Sequence, residues 1–161
     1  MKKRFVILLI CLLTAAALCG CQAAEKPGLE SAGISMDLPQ GMENTSGQLG
    51  YGDYDFAYVG TDMAVFGSKG DLKADGIDAN MTLMTCAENA LQIAKMEAEI
   101  LTAEKGYLYF VYDADTGINK FTNVTAFFEN GEAFWMIQIS SKSQAYDEAA
   151  VFAMLDSVEF K

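Results

Sequence analysis

Three residues near the middle of the chain, Asp113, Asp115 and Gly117, have the spacing with which a calcium-binding loop begins. An EF-hand loop places oxygen ligands at its first, third and fifth positions and a bidentate glutamate at its twelfth. Here the fifth position is Gly117 and the twelfth is Val124, so both of the later side-chain ligands are missing. The pattern therefore favours a polar hairpin turn over a cation site.

A second set of oxygen-bearing side chains lies in a Gly- and Asp-rich stretch, residues 68–80, and comprises Asp71, Asp75, Asp78 and Asn80. Its ligand density suits a weak, exposed calcium site, but its spacing matches no known cage. A solvated loop is the favoured interpretation. We predict no metal and no other cofactor for this chain.

Few side chains are available for nucleophilic catalysis. The sequence contains no histidine, which excludes Ser-His-Asp and Cys-His machinery and His-ligated metal centres. A reactive thiolate at Cys86 would need a cationic neighbour, and the nearest basic residue in the sequence is Lys95. We interpret Cys86 as a buried structural thiol. We expect no enzymatic activity, and paired carboxylates in a cleft remain the alternative.

The chain begins with the two parts of an export signal. Lys2, Lys3 and Arg4 are basic, and residues 5–13 are apolar. The apolar run is too short to be a stable membrane-spanning helix. Small residues then lead to the sequence Leu-Cys-Gly-Cys at residues 18–21.

This ending resembles the lipobox of bacterial lipoproteins, in which the last cysteine is lipidated and becomes the new N-terminus. The resemblance implies cleavage before Cys21 and a diacylglycerol cysteine with a further fatty acid such as palmitate. It predicts a signal peptide at residues 1–20, a tether at 21–32 and a single domain at 33–161. The expected location is the extracytoplasmic face of a bacterial cell membrane, as on a Gram-positive cell surface.

Charge and cysteine content bear on the partners of the mature chain. Loss of the three basic leader residues changes the formal net charge from −11 to −14. Such a surface repels nucleic-acid phosphates and anionic lipid, so the lipid on Cys21 has to hold the protein at the membrane. Cys86 is the one thiol left in the 141-residue mature chain, which excludes an intramolecular disulfide.

Patterning along the mature sequence predicts an α+β domain, an antiparallel sheet with two main helices. The expected elements are a strand at 34–38, a hairpin at 51–59 and 63–67, a helix at 82–97 capped by Thr82, a short strand near 100–101, a three-stranded meander at 107–112, 119–129 and 132–140, a helix at 143–156 capped by Ser143, and a tail at 158–160.

The dipeptide Asn130-Gly131 predicts a type I′ turn between the last two meander strands. That turn would pair Phe128 with Ala133 and Ala126 with Trp135 on a uniformly apolar face, which we expect to be core. The opposite face would be aromatic but interrupted by polar side chains.

This second face suggests a candidate docking patch for a partner. Its members are Phe121, Phe127, Phe134 and Met136, with Tyr107 and Tyr109 joining them if the preceding turn keeps odd-numbered residues in phase. The alternative is that a helix or the first hairpin covers this face.

The order of elements resembles the PsbP/Mog1-like fold. Small bacterial lipoproteins of that type often carry an early Ile-Ser-x-Asp-Leu-Pro strand and a Ser-Val-Glu-Phe-like tail, and this chain has them at residues 34–39 and 157–160. The resemblance implies an α/β/α sandwich and a docking or accessory module that is not an enzyme.

We therefore expect a lipid-anchored surface domain that binds an envelope protein or a small ligand. The alternative is an acidic domain that captures cations or a basic envelope component, and a carboxylate-based hydrolase is a third possibility. Oligomeric state is left open by the sequence.

Overall fold

The computed structural model describes residues 28–72 and 81–161. Nine strands and two helices are assigned within these ranges. In chain order they are β1 (Ile34–Ser35), β2 (Glu43–Asn44), β3 (Phe56–Val59), β4 (Met63–Asp71), α1 (Leu83–Ala94), β5 (Leu101–Thr102), β6 (Leu108–Asp115), β7 (Lys120–Asn130), β8 (Ala133–Lys142), α2 (Glu148–Asp156) and β9 (Glu159–Phe160).

Seven of the strands form one antiparallel sheet in the order β2-β3-β4-β8-β7-β6-β5. The predicted first hairpin (β3–β4) and the predicted meander (β6–β7–β8) are both present, and β4 joins them by pairing with β8 over nine residues. The first hairpin's second strand continues to Asp71, where the sequence suggested a loop from residue 68.

The two helices cover opposite faces of this sheet. Val151, Met154 and Leu155 of α2 pack on the face that carries Val124 and Ile137. Cys86 and Ala87 of α1 pack on the other face, against Leu108, Phe110 and Phe127. The result is the expected α+β sandwich, because each helix buries its apolar side on one surface of the sheet.

The β7–β8 register differs from the predicted one by two residues. Phe128 pairs with Trp135 and Phe127 with Met136. The central turn residues are therefore Gly131 and Glu132, and only Gly131 has a positive φ, of 66°. A positive φ at the first central residue alone is the pattern of a type II′ turn. Since a two-residue shift leaves every side chain on the same face, the predicted core face is correct.

Both ends of the described chain lie on the α2 face. β1 pairs with β9, so that Ile34 lies opposite Phe160, and the Lys161 amide donates to the carbonyl oxygen of Gly33. Residues 28–33 form a turn in which the Ala32 amide donates to the Gly28 carbonyl, and Leu29 packs against the core. The folded part thus begins by residue 28, within the stretch predicted as tether.

The N-terminal cap of α1 is the residue predicted from the sequence, and the cap of α2 is a different one. Thr82 caps α1 as predicted, because its Oγ1 accepts a bond from the Thr85 amide. The predicted cap Ser143 instead opens a short 3-10 turn, and Asp147 caps α2 by accepting from the Ala150 amide. The closing helix is therefore four residues shorter at its start than the apolar pattern suggested.

Candidate functional site

The predicted docking patch is largely covered by α1. Phe127 is only 1% exposed, and Phe134 and Met136 are half-buried in the same cluster as the α1 residues. Phe121 is half-buried and lies toward the other end of the sheet, opposite Lys142. The covering helix, which was the alternative at the sequence level, explains why these four do not form one exposed surface.

Tyr107 and Tyr109 lie on the opposite face of the sheet from the predicted patch. Tyr109 pairs with Ala126, and Leu108 and Phe110 take the positions next to Phe127. The turn before β7 contains four residues, 116–119, so β6 and β7 pair odd-numbered with even-numbered residues. The predicted phase was wrong by one residue, which moves both tyrosines to the α2 side.

The Asp113–Gly117 stretch is a tightly bonded hairpin turn. Asp115 Oδ1 accepts from the Gly117 amide at 2.7 Å, and Asp113 Oδ1 accepts from the Thr122 hydroxyl at 2.8 Å. These bonds use the carboxylates to hold the turn. Among the described residues no group of three or more potential metal ligands comes together. Asp75, Asp78 and Asn80 lie outside the described ranges.

Cys86 lies on the side of α1 that packs against the sheet, as a structural thiol would. It is buried, and this burial raises the pKa of the thiol, which keeps it protonated at neutral pH. A protonated thiol is a poor nucleophile.

A concave site is present where the C-terminal end of α2 meets β7, β9 and the turn that precedes β6. We call it the α2 cleft, and its volume is about 240 Å³. Apolar side chains line most of it, namely Tyr107, Phe128, Leu155, Val158 and Phe160. The rings of Tyr107 and Phe128 lie 4.7 Å apart, and Phe160 meets Phe128 edge-on at 6.1 Å.

Three charged residues also line the α2 cleft, namely Lys105, Glu129 and Asp156, and a hydrogen bond joins Lys105 to Asp156 at the end of α2. The Lys105 ammonium donates to the backbone carbonyl of Asp156 at 2.6 Å. The Tyr107 hydroxyl donates to Asp156 Oδ1 at 3.0 Å. A positive and a negative group thus lie beside each other above an aromatic floor, although they are 51 residues apart in the chain.

The chemistry of Tyr107 is that of a neutral hydrogen-bond donor. Burial, and then its bond to the Asp156 carboxylate, raise the pKa of this phenol well above its usual range. Tyr107 therefore holds Asp156 in place and does not supply a phenolate at neutral pH.

Two further polar features lie away from this cleft. A second cleft of about 280 Å³ lies between the β6–β7 turn and the end of β8, and its lysines are paired, Lys142 with Asp62 at 3.0 Å and Lys120 with Asp115 at 3.7 Å. On the α1 face, Gln138 Nε2 donates to the Tyr112 hydroxyl at 3.2 Å. Burial raises the pKa of Tyr112 too.

Sequence reasoning did not find Lys105 or Asp156. Lys105 lies in a turn before a strand, and Asp156 is the last residue of a helix. Neither position is marked by a local sequence pattern. Their proximity depends on how α2 crosses the sheet, which no local spacing encodes. The buried Tyr107 was singled out, but for the wrong face.

Comparison with known proteins supports one conclusion about the fold. No protein-family model and no curated protein matches this chain. A solved structure does match it, the solution structure of cyanobacterial PsbP (CyanoP) from Synechocystis sp. PCC 6803, with a TM-score of 0.52 and 9% sequence identity. The match covers 89% of this chain and 99% of that chain. The fold is PsbP-like.

At 9% identity the likeness concerns the arrangement of the elements and not the side chains of a site. The PsbP-like sheet with a helix on each face is thus established without any shared binding residue. Among the helices assigned in residues 28–72 and 81–161, none has the length and apolar content needed to cross a bilayer.

Proposed function

We propose that this protein is a lipid-anchored domain at the extracytoplasmic face of a bacterial membrane, where it acts as a binding or accessory module and not as an enzyme. The lipid would be attached to Cys21, as the lipobox-like ending of the leader implies.

The observation that carries the binding role is the α2 cleft. It combines an apolar floor with a few polar groups at the rim, which is the usual composition of a small-molecule site. Burial and the bond to Asp156 keep Tyr107 a neutral hydrogen-bond donor, and Asp156 accepts its hydrogen bond. General acid-base catalysis would instead favour a group whose pKa is tuned toward neutrality.

The position of the cleft is compatible with such an anchor. Gly28, the first described residue, lies seven positions after Cys21, so a fully extended chain would reach at most about 25 Å. Gly28 lies beside Asn44 and Tyr58, at the β2–β3 edge of the sheet. The α2 cleft involves β7 and the turn before β6, several strands away, and would remain open while the other edge faces the membrane.

Metabolic labelling with a fatty acid tests the anchor. We expect label on the wild-type protein and recovery of the protein with membranes. Cys21→Ala should lose the label and leave the membrane fraction, because no thiol remains at the lipidation position.

Cys19→Ala is the matched control, since it changes a leader cysteine that should be removed with the signal peptide. It should be labelled like the wild type. Equal labelling of wild type and Cys21→Ala, or no labelling of either, would remove the anchor from the proposal.

A further inference from the structure

The α2 cleft has two chemically distinct parts, and together they indicate the chemistry of a ligand that would fit it. Its floor is formed by the rings of Tyr107, Phe128 and Phe160. Its rim carries the ammonium of Lys105 and the carboxylates of Asp156 and Glu129, and Asp156 is the one that a hydrogen bond holds beside Lys105. An apolar body would be desolvated by the floor. The rim would receive a head that carries both charges.

The rim groups keep bonding capacity for such a head. A lysine ammonium has three donors, and Lys105 uses one on the Asp156 carbonyl. A carboxylate has two oxygens, and Tyr107 bonds Oδ1 of Asp156. Among the hydrogen bonds of the described residues, those of Asp156 use its carbonyl oxygen and Oδ1, so a cation can approach Oδ2 while an anion approaches Lys105.

From this complementarity we propose that the α2 cleft binds a zwitterionic α-amino acid with an apolar side chain. The ligand carboxylate pairs with the Lys105 ammonium, the ligand ammonium pairs with the Asp156 carboxylate, and the side chain lies against Phe128 and Phe160. This assignment rests on the binding role proposed above and names its ligand class.

The size of the cleft agrees with a ligand of this kind. A volume of about 240 Å³ leaves room for a small ligand such as a single amino acid. The bond that fixes Asp156 also favours binding, since Tyr107 orients the carboxylate before a ligand arrives and lowers the ordering cost.

The test uses three small probes on the mature, lipidated chain in neutral detergent micelles. The probes are leucine, isocaproate, which lacks the amine, and isoamylamine, which lacks the carboxylate. Backbone NMR signals of Gly106 and Phe160 report binding at the cleft. We expect leucine to shift both signals and to bind about tenfold more tightly than either truncated probe, because each truncation removes a charge-assisted bond.

Substitutions at the rim test the contribution of each charge to binding separately. Lys105→Gln should reduce leucine affinity about tenfold and leave isoamylamine affinity unchanged. Asp156→Asn should reduce leucine affinity similarly and leave isocaproate affinity unchanged. Lys69→Gln, an exposed lysine on β4, is the matched control and should bind all three probes like the wild type.

Three results would overturn the assignment: no shift at Gly106 and Phe160 with any probe, equal affinity for all three, or shifts confined to another face of the sheet. If the lipidated chain fails to bind leucine, the proposed ligand class is wrong and the proposed anchor is unaffected. If the chain binds leucine but carries no lipid, the ligand class is supported and the anchor is wrong.

Discussion

At the scale of single residues, glycine is required where an aromatic ring lies directly on the backbone. A Cβ at Gly67 would collide with the ring of Phe56, which is fully buried in the α2-side core and has no room to move. Gly67→Ala should therefore lower the free energy of unfolding by about 1–3 kcal/mol in urea titrations. Gly52→Ala is the control, because a Cβ there meets no atom within 4 Å, and it should change stability by less than about 1 kcal/mol. Equal losses in the two variants would contradict this packing.

Tyr107 provides a prediction about alkaline stability. Its pKa is near 10 when unfolded and higher when folded, so its contribution is complete below about pH 10 and is lost as the pH rises through the folded pKa. The wild type should lose stability more steeply than Tyr107→Phe above about pH 10, by up to about 1.4 kcal/mol per pH unit.

At neutral pH the Tyr107→Phe variant should be less stable than the wild type by about 1–2 kcal/mol, because Asp156 loses its hydrogen-bond donor. Chemical denaturation between about pH 7 and 11 measures both effects, and parallel profiles would show that Tyr107 is not buried as described.

At the scale of elements, the cap of α1 controls access to Cys86. Loss of the Thr82 hydroxyl in Thr82→Ala should weaken α1 by about 1 kcal/mol and raise the labelling rate of the Cys86 thiol about fivefold, provided that the helix opens locally. Asp147→Ala removes the cap of α2 on the other face and serves as the control. Its Cys86 labelling should stay near that of the wild type. If both variants accelerate labelling equally, the thiol is exposed by global unfolding instead.

Elements also show what could be predicted from the sequence. The apolar stripe and Thr82 located α1, and the alternation along 119–140 located the core face, because both are local patterns. Strand phase was different: the turn before Lys120 has an even number of residues, four, which places Tyr107 and Tyr109 on the other face. Asp147 replaced Ser143 as a cap because the intervening residues form a 3-10 turn. The rim of the α2 cleft was out of reach, since Lys105 and Asp156 meet only through tertiary packing.

At the scale of the whole molecule, the sheet order places the proposed anchor and the proposed binding site toward different edges. The chain enters at the β2–β3 edge, near Tyr58, and the α2 cleft lies toward β6. An anchor at one edge and a binding site toward the other is the arrangement expected of a module that presents a ligand site away from the membrane. With the net charge of −14 expected after leader removal, the domain would be repelled by anionic lipid.

In the proposed arrangement, the lipid on Cys21 holds this domain on the outer face of the membrane. The most direct measurement treats protoplasts with an amine-reactive reagent that does not cross membranes, and then quantifies the modified lysines of the membrane-bound protein. We expect equal modification before and after lysis, with exposed lysines such as Lys120 among the sites, and release of Cys21→Ala into the medium. Modification that occurs only after lysis, or membrane retention of Cys21→Ala, would contradict it.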